Sequence, residues 1–200
     1  MTKKFYTLAL SLTLLFTLAF ASATARTTAT EAARVGDAVA DFTLPDADGK
    51  EHKLSTLRGA KGTALIFISV QCPVSNAYNE RMTQLAADYK AKGINVVGIN
   101  SNVAEMPDAI KTHAKEKNLA FPILKDKGNK IADRMNAQFT PEVFLLDANN
   151  KLVYHGRIDN ARNGGEISAP DLRNAMDAVI AGQAVTTPET KAFGCSIKRA

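Results

Sequence analysis

Residues 63–99 read TALIFISVQCPVSNAYNERMTQLAADYKAKGINVVGI. Thr63–Val70 is an unbroken apolar, β-branched run, the pattern of a strand buried on both faces. Cys72 follows at once, and Pro73 suits the first position of a helix, where the N–H it lacks would have no partner anyway. Val74, Tyr78, Met82, Leu85 and Tyr89 recur at spacings of 4, 4, 3 and 4, which places them on one face of a helix. Gly93 ends that helix, and Ile94–Ile99 is a second apolar run of strand length. Strand, helix, strand is a βαβ unit, so the two strands are expected to be parallel with a right-handed crossover.

Working outward, Asp41–Leu44 alternates, Pro45–Gly49 turns the chain, and Glu51–Leu54 returns as the second arm of a hairpin. On the other side, Met106–Lys117 reads as a helix with Pro107 near its start, Phe121–Leu124 is short and apolar, and Lys130–Met135 is a short helix. Glu142–Leu146 and Leu152–Arg157 are strands joined by the turn-rich Asp147–Asn150. Ser168–Asp171 has the character of a capping box. It opens a helix whose face is Leu172, Ala175, Met176, Val179 and Ile180, and Gly182 ends that helix. Residues 183–200 show no period and read as an extended tail, whose small and apolar Ala192–Ile197 docks back on the domain. The order predicts an α/β fold: a central mixed sheet of four to five strands, helices on both faces, and an N-terminal β-hairpin.

The chain opens with Lys3 and Lys4, then carries no charge from Phe5 to Ala25. Ala21-Ser22-Ala23 and Ala23-Thr24-Ala25 both fit a small-x-small cleavage site. A basic start, an apolar stretch and small residues before a cut make a signal peptide over residues 1–25. The 21 uncharged residues could span a bilayer, but six Ser and Thr dilute them, and cleavage after Ala23 or Ala25 is expected. Residues 26–35 are small and polar and read as a linker; 36–182 form the domain and 183–200 the tail. A periplasmic or secreted location follows, where two thiols could pair or exchange. Two Cys among 200 residues exclude a disulfide scaffold and a four-thiolate zinc site. The formal charge of +5 is scattered, two of it in the leader, and lacks the basic stripe that nucleic-acid binding requires.

A thiol at a strand-to-helix elbow meets unpaired backbone N–H groups and the positive end of the helix. Both favour the thiolate, the nucleophilic form, so Cys72 is the candidate nucleophile. The alternative is a buried structural Cys. Cys195 has three readings: a resolving thiol that meets Cys72, a free thiol, or a thiol that pairs between chains. His52, His113 and His155 share no metal spacing, and no metal or other cofactor is expected. Asn100-Ser101-Asn102 ends the second strand, and is either a polar turn or part of the edge that holds Cys72.

Four features resemble the thioredoxin-like superfamily, in its peroxiredoxin-like (redoxin, AhpC/TSA) branch, over roughly residues 36–182. They are the opening segment Val35–Leu44, Cys72 between strand and helix, Thr140-Pro141 before Glu142–Asp147, and the closing helix. The resemblance implies a cis Thr140–Pro141 bond facing Cys72. It also implies Pro73, Thr140 and Pro141 as substrate-binding positions, with the backbone of Thr140 free to pair an extended peptide. The motif departs from the family in two ways. Ser75 stands where a dithiol enzyme has its second Cys, so a disulfide within the motif is impossible. A peroxidase motif would put a hydroxyl at Ser69 and a proline at the position of Leu65. The leading expectation is a secreted thiol-dependent oxidoreductase acting through Cys72 on disulfides or oxidised thiols. The alternatives are a peroxide-reducing antioxidant and a non-catalytic binding module around Pro141. Protein or small-molecule thiols and disulfides are the expected partners, with no nucleic acid and, after leader removal, no membrane. The oligomeric state stays open.

Overall fold

The structure is a computed structural model that describes residues 32–162 and 165–199. The expected signal peptide and residues 26–31 of the expected linker lie outside the described residues. Residues 33–35 are drawn onto the domain: the Ala33 N–H bonds the Arg134 carbonyl at 3.0 Å, and Ala33 and Val35 pack on the core.

β3 (Gly62–Phe67) is buried at all six positions because it has a strand on each side and a packed cluster on each face. β4 (Ile94–Asn100) pairs with it in parallel and β7 (Glu142–Asp147) antiparallel, so Leu65 lies between Val97 and Phe144. β5 (Ile123–Lys125) and β8 (Leu152–Gly156) complete a mixed sheet in the order β5-β4-β3-β7-β8. Side chains alternate across a strand, and the core divides accordingly. Ala64, Ile66 and Ile68 face α3 (Asn79–Lys90), α4 (Pro107–Glu116) and α6 (Asp171–Ile180) through Met82, Leu85, Ile110, Leu172 and Met176. Leu65 and Phe67 face α5 (Lys130–Met135) and the N-terminal hairpin through Ile131, Met135, Phe42 and Leu44. This is the five-stranded thioredoxin-like architecture that the resemblance implies.

The hairpin is β1 (Thr43–Pro45) and β2 (Glu51–Lys53), paired Thr43↔Lys53 to Pro45↔Glu51. Asp46 builds its turn by accepting the Asp48 and Lys50 N–H groups at 2.9 and 3.0 Å. Leu54 does not finish the second arm; it begins a one-turn helix, α1 (Leu54–Leu57).

Two other local expectations are corrected. The helix after Cys72 is not continuous. α2 (Pro73–Ala77) stops at Tyr78, whose N–H reaches back only three residues to the Ser75 carbonyl, and α3 then starts afresh. The tight turn spares the apolar face, since Tyr78, Met82, Leu85 and Tyr89 are all buried. Nor does α6 begin with a capping box. Its N-cap is Pro170, which has no side chain to donate or accept. The Ser168 hydroxyl is taken by the Asn160 amide at 2.7 Å, and Asn160 Oδ1 accepts the N–H groups of Ser168 and Ala169 at 3.0 and 2.8 Å.

The tail packs along the domain. Residues 188–190 bond His155 on the outer edge of β8, and β9 (Cys195–Ser196) pairs antiparallel with β6 (Phe139–Thr140).

Candidate active site

β3 and β4 are parallel, so their C-terminal ends leave the sheet along one edge, the edge at which α/β folds hold sites. β3 stops at Phe67, and the chain turns through Ser69–Gln71 to Cys72, the N-cap of α2. The extended backbone of Cys72 (φ −81°, ψ 117°) folds its side chain back over the first turn, where Sγ accepts the Ser75 N–H at 3.3 Å. The thiol donates to the Thr140 carbonyl at 3.3 Å. Cys72 is only 3% exposed.

Thr140 is 1% exposed, Pro141 is buried, and the bond between them is cis. In the β6–β9 ladder Thr140 is paired with Cys195. The tail therefore brings the second sulfur of the chain to the first: Cys72, Thr140 and Cys195 meet at one point, Pro141 follows Thr140, and the exposed Pro73 opens α2 beside them. Both thiols are free. The backbone edge of Thr140, open to an extended peptide in the reading of the sequence, is filled by the chain's own β9.

Burial pushes the Cys72 thiol up, but hydrogen bonds from the Cys195 thiol and the Ser75 N–H outweigh it, and Cys72 ionises below the ordinary thiol range. Cys195 moves the other way, because its hydrogen bond to Cys72, then burial, then the Cys72 charge disfavour a second thiolate. Of the two sulfurs, Cys72 is therefore the one that ionises first. Since α2 is five residues long, the stabilisation comes from these contacts more than from a long helix dipole.

Behind the loop lies a carboxylate with no sequence signature. Glu105 is 2% exposed. It accepts the Ser69 hydroxyl, the Val70 and Gln71 N–H groups at 3.0 and 3.2 Å, and the side-chain amides of Asn100 and Asn102. Ser69 Oγ in turn accepts the N–H groups of Gln71 and Cys72 at 3.2 and 3.0 Å. Burial raises the Glu105 pKa, but the Ser69 hydroxyl and the other donors win and hold it below the usual carboxylate range. A charged acceptor thus sets the Ser69 proton, and Ser69 sets the backbone that carries Cys72. No spacing rule links Glu105 to Cys72; the one clue was the Asn100–Asn102 turn, which does lie on this edge.

The thiols open onto a cleft of about 230 Å³ bordered by Ser69, Asn102, Glu105 and Lys198. At the peroxidase positions, Leu65 is fully buried in β3 and the Ser69 hydroxyl is committed to Glu105. The histidines stand apart: His52 on Asp46 and His155 on Glu142, both at 2.7 Å, and His113 on Asn79 at 3.2 Å. Among the described residues, no three His, Cys, Asp or Glu side chains gather as a metal site requires.

Comparison with known proteins bears on the same residues. The thiol-disulfide oxidoreductase ResA of Bacillus cereus is 31% identical over 123 residues, which are 62% of this chain and 69% of that one. A crystal structure of a hypothetical protein from Sinorhizobium meliloti superposes with a TM-score of 0.78 at 37% identity, covering 84% of this chain and 95% of that one. An uncharacterized conserved protein from Geobacillus kaustophilus gives a TM-score of 0.79 at 32% identity, covering 84% and 93%. Residues 35–155, from the opening segment through the cysteine elbow to the last strand of the sheet, match the AhpC/TSA family, and the chain belongs to it.

Proposed function

We propose that this chain is a thiol-disulfide oxidoreductase working outside the cytoplasm, with Cys72 as nucleophile and Cys195 as resolving thiol. The observation that carries the reading is the meeting of the chain's two sulfurs at Thr140, with the lower pKa on Cys72. The Cys72 thiolate attacks one sulfur of a disulfide, and the other half leaves as a thiolate. Cys195 then attacks the Cys72 sulfur, forms the Cys72–Cys195 bond, and releases the second half. Two protein thiols are oxidised, their protons pass to the two released thiolates, and one disulfide is reduced. Thr140 and Pro141 wall the reacting sulfur and Pro73 opens the helix beside it. The ResA relatives support this class of reaction, and the basic, apolar leader sequence supports export.

Membership of the AhpC/TSA family favours a second reading, peroxide reduction through a Cys72 sulfenate. Positioning of a reactant against its nucleophile lowers a barrier by several kcal/mol. Here Leu65 offers no polar group, and the Ser69 hydroxyl is already engaged. Stopped-flow oxidation of the reduced protein at neutral pH, with Cys72→Ser as the blank, separates the readings. The expected result is Cys72-dependent exchange with a disulfide probe and slow reaction with hydrogen peroxide. A fast peroxide rate beside slow exchange reverses the ranking. Free-thiol rates with both point to a binding module.

A further inference from the structure

The approach to Cys72 is shaped by the tail more than by the sheet. An extended polypeptide binds a sheet by adding its backbone to an open edge. At Cys72 that edge is Phe139–Thr140, and it is occupied by Ser196 and Cys195. The occupant is fastened at every step. The Phe193 ring lies 6.3 Å from that of Tyr78 and under the Arg162 guanidinium. Gly194 passes so close that a Cβ there would fall 2.0 Å from the Thr140 carbonyl oxygen. Ile197 is 5% exposed within the core, and its N–H bonds the Gln138 carbonyl at 2.9 Å. Lys198 is clasped from the far side, its N–H on Asn102 Oδ1 at 2.7 Å and its carbonyl on the Val103 N–H at 2.9 Å. Arg199 ends the run with bonds to Asp133 and the Ala137 carbonyl.

What remains open is the cleft between the Asn102–Glu105 loop and the tail, about 230 Å³. That is smaller than the roughly 300–1,000 Å³ of pockets that enclose drug-sized ligands. One half of a small disulfide fits such a space, whereas a polypeptide lying along Thr140 does not fit without displacing β9.

We propose that the substrates of this chain are low-molecular-weight disulfides, and that residues 193–198 exclude extended polypeptide from Cys72. The proposal rests on the oxidoreductase reading and narrows it. Small disulfides exchange with the strap in place. The first attack joins one half of the small disulfide to Cys72 and expels the other, and Cys195, already seated at Thr140, attacks the Cys72 sulfur and expels the second half. The tail does not need to move far, because the strap and the resolving thiol are the same strand.

The test uses the reduced full-length protein and two probes of similar disulfide chemistry: oxidised glutathione, and a disulfide-linked dimer of an unstructured twelve-residue peptide. Each rate of Cys72 oxidation is divided by that of free cysteine with the same probe. The wild type is expected to favour glutathione disulfide by at least about tenfold, since peptide entry breaks the β6–β9 bonds. Gly194→Ala crowds Thr140, and Ile197→Thr loosens the anchor one strand position away. Each is expected to raise the peptide rate relative to the glutathione rate, since any change at the Cys72 sulfur itself enters both rates alike and leaves their ratio to report access. Equal normalised rates in the wild type overturn the proposal. So does a large ratio that both variants leave in place. If Cys72 exchanges with neither probe, the oxidoreductase reading itself fails, and this one with it.

Discussion

The sulfur of Cys72 is pulled in two directions. Removal from water favours the neutral thiol, while the Cys195 thiol and the Ser75 N–H favour the anion and prevail. The alkylation rate of Cys72 against pH is therefore expected to rise to half its plateau below the value of about 8.5 for a free thiol. The folded pKa is lowered, so the thiolate is populated above that lower value and lost only as pH falls through it. Cys195→Ala removes the largest stabilising contact and moves the midpoint up; an unmoved midpoint would show that Cys195 does not support the charge. Glu105 works one layer back, on the loop. Its folded pKa lies below the unfolded value of about 4.3. Its contribution to stability is present above that value and is lost as pH falls through the lower folded one. Glu105→Ala removes the acceptor of five hydrogen bonds, three of them buried, and is expected to cost about 1–3 kcal/mol. The variant should also lose part of the stability difference between pH 7 and pH 3, read by urea denaturation at both.

At the scale of the element, helix starts decide more than helix faces. The face of α3 is legible from its spacing, and Met82 and Leu85 are buried as the period requires. The break at Tyr78 is not legible, because the apolar period runs through it. It belongs to a residue whose hydroxyl reaches Asp159 at 2.8 Å and the Ala161 carbonyl at 2.6 Å, far along the chain. The start of α6 is a sharper case. Ser168 has the residue type for a cap, yet Asn160 holds that turn. Asn160→Ala is expected to cost about 1 kcal/mol, and Ser168→Ala clearly less, because the first removes three hydrogen bonds and the second one. A capping box would require the reverse order, since loss of a cap Ser itself costs about 1 kcal/mol. Thermal unfolding of the two variants decides between them.

For the molecule as a whole, the tail is the long-range event. Cys72 and Cys195 lie 123 positions apart. A disulfide between them closes a loop whose removal from the unfolded ensemble stabilises by about 5 kcal/mol in the chain-entropy model. Oxidised protein is expected to unfold at higher denaturant concentration than reduced protein, and Cys195→Ser to abolish the difference. Equal midpoints for the oxidised and reduced wild type would mean that the two sulfurs do not bond.

Local pattern was sufficient for the elements and their class. A buried strand, a helix and a second buried strand in 37 residues leave one parallel arrangement, and a thiol between the first strand and the helix must stand at the sheet edge. Those features are written in side-chain type and spacing, which the chain carries without folding. The neighbours of the thiol are not written there. Glu105 reaches the loop from the segment between β4 and α4, and Cys195 returns on a tail with no period. Ser69, the one family-like hydroxyl, is turned to a partner that no motif names. Contacts between residues distant in sequence depend on where whole elements pack. For this reason the sequence by itself determined the fold and the place of the Cys72 thiol at the sheet edge, while the tertiary structure alone decided what surrounds that thiol and what covers it.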